Sequence, residues 1–291
     1  MAKQKIYFLV NPISGGKKKD NFHALVSKNI DSEKYDYDIE EWGDNDTVEK
    51  LVGNALNKNF DIIVAAGGDG TINQVAAQLA GTGKLMGIIP MGSGNGFARH
   101  SGIPVNPEKA IQLLNRPTIK KVDTLLVNNN RYVNVAGVGF DAHIGYLFST
   151  ASTRGFSTYT KIVVKELSSF KPENYTLTID GKEHNEDAFL ISVTNGSQWG
   201  NNAVIAPHAS TRDGLMDVVV MKPFKFYDVP PLALQMFTKN IDKNRRIKSF
   251  KAKEVVIKRK NKGAVHFDGE PAEMGTEIQF KIDPSSLNLI V

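Results

Sequence analysis

The sequence predicts two domains of different class: an α/β domain on a parallel sheet over residues 1–124, and a mainly antiparallel β-sandwich over residues 125–291, whose last strand is free to return to the first domain. Three observations predict this. Up to about residue 118, short β-branched runs alternate with helical patterns, and strand–helix–strand–helix with short loops calls for a parallel sheet covered on both faces. Beyond that point strand-like runs succeed one another, with turn-rich joints at 128–130 and at Asp180-Gly181. At 291 residues the chain also exceeds one ordinary domain and is long enough for two cores.

Taken in order, residues 6–10 read as a buried first strand, ended by Asn11-Pro12. A helix is expected after the glycines at 15 and 16, and a second strand over 35–41. Asp46 is a good N-cap for a helix whose apolar positions Val48, Leu51, Val52, Ala55 and Leu56 fall on one face. Residues 61–66 form a continuous apolar run, as a parallel strand buried on both faces requires. Ile72, Val75, Ala76 and Leu79 then trace another helix. Residues 85–89 make the next strand, broken by Pro90. In the second domain strands are predicted over 119–127, 131–138, 175–180, 188–194, 215–221, 248–257, 265–268 and 278–282. Helices interrupt them around 158–170 and 229–239.

Composition removes several functions. There is no cysteine, so disulfides, thiolate zinc sites and Cys nucleophiles are excluded, and a reducing compartment, the cytoplasm, is expected. The first apolar run is too short for a signal peptide, and none approaches the roughly 20 apolar residues of a membrane span, so any membrane contact is expected to be peripheral. The six histidines show no zinc-like spacing. Trp42 and Trp199 read as packing residues, Trp199 being placed to line an acyl cleft as well. Charge is uneven: from Lys239 to Lys262 there are eleven Lys or Arg against Asp242 and Glu254, a local net of +9 in a chain of net +5. That stripe suits an anionic membrane surface, and equally a solvated edge strand guarded by basic residues around Val255-Val256-Ile257. No nucleic-acid partner is expected, and a homodimer is left open.

The glycine loops carry the chemistry. Gly67-Gly68-Asp69-Gly70-Thr71 ends the most apolar strand and opens a helix, where backbone N–H groups and a helix N-terminus can face a phosphate. Asp69 beside a triphosphate needs an intervening cation such as Mg²⁺; the other reading is an ordinary strand-to-helix turn with an acidic cap. Residues 210–217, with Ser210, Asp213 and Asp217, offer oxygen ligands to a hard cation, or simply an Asp-Gly hairpin turn. Asp268 and Glu270 share a face if they lie on a strand, unless Gly269 makes a turn.

GGDGT resembles the signature of diacylglycerol kinases, sphingosine and ceramide kinases, NAD kinases and, more distantly, phosphofructokinases. Asn11-Pro12-Ile13-Ser14-Gly15-Gly16 is similar to the NPxSGG loop of the lipid kinases. Residues 90–99, with Gly92-Ser93-Gly94-Asn95, resemble their second nucleotide loop, and Asp268-Gly269-Glu270 their DGE element. The resemblance implies an ATP-dependent lipid kinase of the diacylglycerol kinase-like class, acting on a lipid hydroxyl at the membrane surface. It places ATP on Asn11, Pro12, Ser14, Gly15, Gly16, Gly67, Gly68, Asp69, Gly70, Thr71, Asn73, Gly92, Ser93, Gly94 and Asn95. It also places Mg²⁺ near Asp69 and Asp123, and a structural Mg²⁺ on Ser210, Asp213 and the backbone of Leu215. Asp268 or Glu270 is implied as general base, with Glu270 favoured. Gly96 departs from the bacterial diacylglycerol kinases, which usually carry Asp there, and leans the substrate toward a sphingoid or other long-chain alcohol. A threonine common after the second strand is replaced by the region of Glu40, Glu41 and Trp42. A non-catalytic nucleotide or lipid sensor on the same fold stays open, as does an NAD kinase, which would leave the NPxSGG and DGE strings unexplained.

Overall fold

The computed structural model describes residues 3–12, 14, 21–43, 46–151 and 156–291. The chain divides into two units, Met1–Val122 with Ser285–Val291, and Asp123–Pro284. The first contains strands β1 (Gln4–Val10), β2 (Tyr35–Glu41), β3 (Ile62–Gly67) and β4 (Leu85–Pro90). Its helices are α1 (Phe22–Asn29), α2 (Val48–Asn57), α3 (Asp69–Leu79), α4 (Gly96–His100) and α5 (Pro107–Leu114). The strand order is β2-β1-β3-β4, parallel at every pair. β3 is buried at all six positions, which is why it reads as an unbroken apolar run. Helices α2 and α3 turn Leu51, Val52 and Ala55, and Ile72, Val75, Ala76 and Leu79, into the core.

Helix α2 corrects one expectation. Thr47, with extended backbone, accepts the Lys50 N–H and is the N-cap. Asp46 instead accepts the Gly43 N–H at 3.1 Å and pairs with Lys50, closing the turn that precedes the helix.

The second unit takes over within β5 (Ile119–Val127) and continues through β6 (Asn130–Tyr132), β7 (Val135–Gly139), α6 (Phe140–Ser149), α7 (Phe156–Glu166), β8 (Glu173–Ile179), β9 (Lys182–Ala188) and β10 (Leu190–Thr194). Next come β11 (Gln198–Gly200), β12 (Ala203–Val204), β13 (Met216–Met221), α8 (Val229–Phe237), β14 (Ile247–Ala252), β15 (Glu254–Arg259), β16 (Gly263–Phe267), β17 (Glu270–Met274) and β18 (Glu277–Ile290). One antiparallel sheet runs β14-β13-β10-β7-β16-β17. The other runs β18-β15-β8-β9, with β5 beside β18 and β6 beside β5. Apolar side chains from both, among them Tyr132, Val138, Leu177, Ile191, Val218, Ile257 and Phe280, form one core, as in a sandwich. The expected strand over 131–138 is two strands, interrupted at Val133 and Asn134. The expected strand over 248–257 is also two, β14 and β15, which belong to different sheets. The second half of β18 lies in the first unit, where Asn288 and Leu289 pair in parallel with Leu85 and Met86 of β4.

Candidate functional site

In the first unit the chain passes from β1 out to β2, then crosses back to β3 on the other side of β1. The order of the sheet therefore reverses between β1 and β3, and ligands of open parallel sheets bind beyond the carboxyl ends of the strands at such a point. Three loops leave those ends and bond to one another. Asn11, after β1, donates its N–H to Ala66 O on β3 at 3.0 Å and its Nδ2 to Thr71 Oγ1 on α3 at 2.9 Å. The Ser14 hydroxyl donates to Asn11 O, while Gly15 and Gly16 lie outside the described residues. Met91, after β4, donates its N–H to Gly67 O at 2.7 Å.

The glycines have a steric cause. A Cβ on Gly92 would stand 2.6 Å from the Cα of Gly68, and one on Gly67 would stand 2.5 Å from the Thr71 side chain. The two loops thus touch backbone to backbone, and the loop after β4 spends the N–H groups of Met91, Gly92, Asn95 and Gly96 on this packing. In the first turn of α3 the N–H groups of Gly70 and Thr71 have no intrahelical acceptor, the usual anion-attracting end of a helix. This glycine cradle fits a nucleotide phosphate.

Asp69 holds the arrangement. Its two carboxylate oxygens accept the N–H groups of Asn95 and Gly96, both at 2.8 Å. Asn95 sits in the left-handed region at φ 52°, and its side chain accepts the Gly92 N–H at 3.1 Å and donates to Gly92 O at 2.9 Å. Ser93 is exposed, and Gly94 O accepts from Arg99 Nε. Burial pushes the Asp69 carboxyl above the usual carboxylate range, and the N–H groups of Asn95, Gly96 and Phe97 pull it back down. Asn73 is buried on α3, and its Oδ1 has no partner among the described residues.

In the second unit Asp268 and Gly269 both have positive φ, 48° and 86°, and form the two-residue turn between β16 and β17. The buried Asp268 carboxylate accepts three backbone N–H groups, from Val133 at 2.8 Å, Asn134 at 3.0 Å and Val135 at 2.8 Å. This is the interruption between β6 and β7: the chain leaves the ladder to bind Asp268. Glu270 opens β17 opposite Phe267, is exposed, and has no hydrogen-bond or ion-pair partner among the described residues. Two neighbours went unnoticed in the sequence. Asn134 donates Nδ2 to Gln198 O, and Asn195 donates Nδ2 to Asp123 O and Val133 O. Their Oδ1 atoms are buried acceptors with no donor among the described residues. An Asn embedded in a β-branched run, Val133-Asn134-Val135, was the signal available.

Residues 5–127 match the family described as diacylglycerol kinase catalytic domain. Residues 134–291 match the one described as YegS C-terminal NAD kinase beta sandwich-like domain. The diacylglycerol kinase of Bacillus subtilis (strain 168) is 30% identical over 221 residues, covering 74% of this chain and 73% of that protein. The chain belongs to the diacylglycerol kinase catalytic-domain family. A protein of Pseudomonas aeruginosa (strain UCBPP-PA14) named "Probable lipid kinase YegS-like" is 29% identical over 257 residues, covering 85% of this chain and 82% of that one. The crystal structure of a diacylglycerol kinase from Bacillus anthracis str. Sterne shares the fold at a TM-score of 0.74 and 24% identity, over 100% of this chain and 97% of that one.

In this diacylglycerol kinase-family chain the turn expected to hold a structural Mg²⁺ carries a lysine beside its carboxylates. Asp213 accepts the Leu215 N–H at 3.2 Å through one oxygen, and the other faces Lys251 Nζ at 2.9 Å. Lys251 also reaches Asp217 at 3.1 Å. Ser210 Oγ accepts the Arg212 N–H. Asp123 is buried against the same turn, donating its N–H to Thr211 O and accepting the Gly214 N–H at 2.9 Å. Burial pushes Lys251 down, but Asp213 and Asp217 together carry it above the usual lysine range. Ser210, Asp213 and Leu215 thus stand at one turn, where Lys251 sets a single positive charge against the carboxylates of Asp213 and Asp217.

Proposed function

We propose that this chain is an ATP-dependent lipid kinase, transferring the γ-phosphoryl group of ATP to a hydroxyl of diacylglycerol or a related glycerolipid or sphingoid base. The observation that carries the proposal is the interlocked set of loops after β1, β3 and β4, packed backbone to backbone at Gly68 and Gly92 beside the N-terminus of α3, in a chain of this family. Phosphoryl transfer leaves little covalent chemistry to the protein and asks it to position phosphates, neutralise charge and receive a proton.

In this reading Gly68, Gly70 and Thr71 offer main-chain donors to the phosphates, and Asn11 fixes Thr71 from the first loop. A carboxylate has about four lone-pair sites, and Asp69 accepts the N–H groups of Asn95, Gly96 and Phe97 as well as its own. It is the acidic residue of the first unit beside these loops, and it would face Mg²⁺ brought with the nucleotide through that ion's water shell. When bound, that ion would neutralise developing phosphate charge. The Asp268–Glu270 hairpin supplies the proton acceptor. Asp268 is spent on three backbone N–H groups, and Glu270 is the freer of the two. Localisation follows from the substrate: the chain works from the aqueous side of a membrane, and among the described residues no helix is long and apolar enough to cross one.

The test is transfer of labelled phosphate from ATP to a panel of diacylglycerol, phosphatidylglycerol, sphingosine and ceramide in detergent micelles. One of them is expected to be labelled, and Glu270→Gln is expected to lower kcat by about 10²–10⁴-fold with ATP affinity unchanged. Protein that binds ATP yet labels none of the four would favour a nucleotide or lipid sensor on the kinase fold.

A further inference from the structure

Helix α8 is amphipathic the wrong way round for a soluble surface. The 3-10 turn Phe226–Asp228 leads into it, and Tyr227, Pro230, Pro231, Leu234 and Phe237 recur every three to four residues. That spacing puts them on one helical face. All five are exposed, and the residue turned into the protein is Leu232. Among the described residues eight large hydrophobics are exposed. Four of them, Phe226 at 79%, Tyr227 at 66%, Leu234 at 64% and Phe237 at 55%, stand within this one segment. Scattered exposed hydrophobics need no explanation, but a contiguous stripe of aromatic, proline and leucine side chains marks an interaction surface.

We propose that this stripe is an interfacial membrane anchor, lying in the plane of an anionic bilayer with Phe226, Tyr227, Leu234 and Phe237 among the acyl chains. Charge selects the occupant. Residues 222–246 hold six Lys or Arg and two Asp. Asp228 is bonded to Arg246 at 3.2 Å, and Asp242 faces His208 at 3.3 Å, so the acids are answered locally. Lys222, Lys225, Lys239 and Arg245 flank the stripe, the pattern of apolar face and basic rim that adsorbs to acidic headgroups. A second copy of the chain fits less well, because an isologous contact would set the same cations against each other.

The basic run from 239 to 262 does not serve as the anchor along its whole length. β14 and β15 divide it between two sheets, and Lys248, Lys251, Lys258 and Lys262 are paired with Glu186, Asp213, Glu277 and Glu273. Arg259 is turned inward onto the carbonyls of Gly263, Ala264, Met274 and Gly275. The membrane-facing charge lies at the start of the run, next to α8.

The test is co-sedimentation of the full chain, without nucleotide, with vesicles of phosphatidylcholine alone and of equal phosphatidylcholine and phosphatidylglycerol. Leaving out ATP separates this inference from the kinase reading, since catalytic failure does not affect it. Binding is expected to the mixed vesicles, to fall as salt rises, and to drop about 10–100-fold in Leu234→Ser/Phe237→Ser, an apolar loss at the membrane interface. The exposed positions leave the fold intact, which circular dichroism and an unchanged melting temperature confirm. Lys225→Glu/Lys239→Glu is expected to weaken binding and flatten its salt dependence. Equal binding of wild type and the Ser variant overturns the proposal. So does equal binding to neutral and acidic vesicles, or a wild-type dimer that Leu234→Ser/Phe237→Ser converts to monomer.

Discussion

Asp69 holds the loop after β4 in place by accepting two N–H groups from it, and that role makes an expectation distinct from cation binding. Asn at position 69 has one acceptor oxygen and presents an amide donor to the other N–H, so Asn95 loses the partner that keeps it at φ 52°. A hydrogen bond to a charged group contributes about 1.5–3 kcal/mol, so Asp69→Asn is expected to weaken ATP binding at least tenfold. The loss should appear in titration calorimetry with Mg²⁺ chelated as well as present. Unchanged affinity in chelator would leave Asp69 with the cation alone. At the end of α4, burial holds His100 below its ordinary value of 6.5. A depressed His is neutral when folded, so its contribution to stability is present above the unfolded pKa and lost as pH falls through the folded one. His100→Gln is therefore expected to flatten the decline in melting temperature between about pH 7.5 and pH 5. Parallel melting curves for the two proteins would refute that assignment.

The elements behind the Asp268 turn are pinned by a buried polar cluster that the proposed chemistry does not use. Asp141, in the first turn of α6, accepts the Ser192 hydroxyl from β10 at 3.0 Å, and the same oxygen faces His266 Nε2 on β16 at 3.1 Å. The Asp141 and His266 side chains are each 8% exposed, and His266 lies two residues before Asp268. Ser192 and His266 converge on one carboxylate oxygen, so the geometry is that of a brace, with Asp141 tying α6 to the strand that presents Asp268 and Glu270. Leaving a buried polar group unsatisfied costs about 1–3 kcal/mol, and Asp141→Ala, which strands both Ser192 and His266, is expected to lower the melting temperature accordingly. Asp141→Asn keeps the shape and one acceptor. It is expected to fold, to bind ATP normally, and to lose turnover because the hairpin is less firmly held. Full turnover in a folded Asp141→Asn protein would reduce the cluster to stability alone.

In the molecule as a whole, the features written in local pattern were legible. β3 and the helices on either side of it, α2 and α3, followed from an apolar run and 3.6-residue periodicity, and the contact of Gly68 with Gly92 explains why strings of glycine marked the loops. Helix α5 carried an equally local signal that went unread, Asn106 accepting the Lys109 N–H ahead of Pro107. β9 had none to offer: in its sequence, Lys-Glu-His-Asn-Glu-Asp-Ala, the buried positions are only Glu186 and Ala188. Asn134 and Asn195 matter through residues distant in sequence, and no spacing announces that. Long-range pairing also decides the last prediction, at the C-terminus. The end of β18 lies between β4 and the start of β5 in the first unit, with Leu287, Leu289 and Ile290 fully buried. Gly81 donates its N–H to Ser286 O at 2.7 Å, and Thr118 and Val291 exchange both backbone bonds. Burying each such side chain contributes about 1.5–3 kcal/mol, so ending the chain at Pro284 removes roughly 5 kcal/mol or more and opens an unpaired edge on β4. Because Met91 and Gly92 leave the end of that strand, truncation is expected to abolish ATP binding and to raise amide exchange over residues 85–90 before any effect on β7 or β10. A truncated protein that keeps wild-type ATP affinity and exchange on β4 would show that the first unit needs no strand from the far end of the chain.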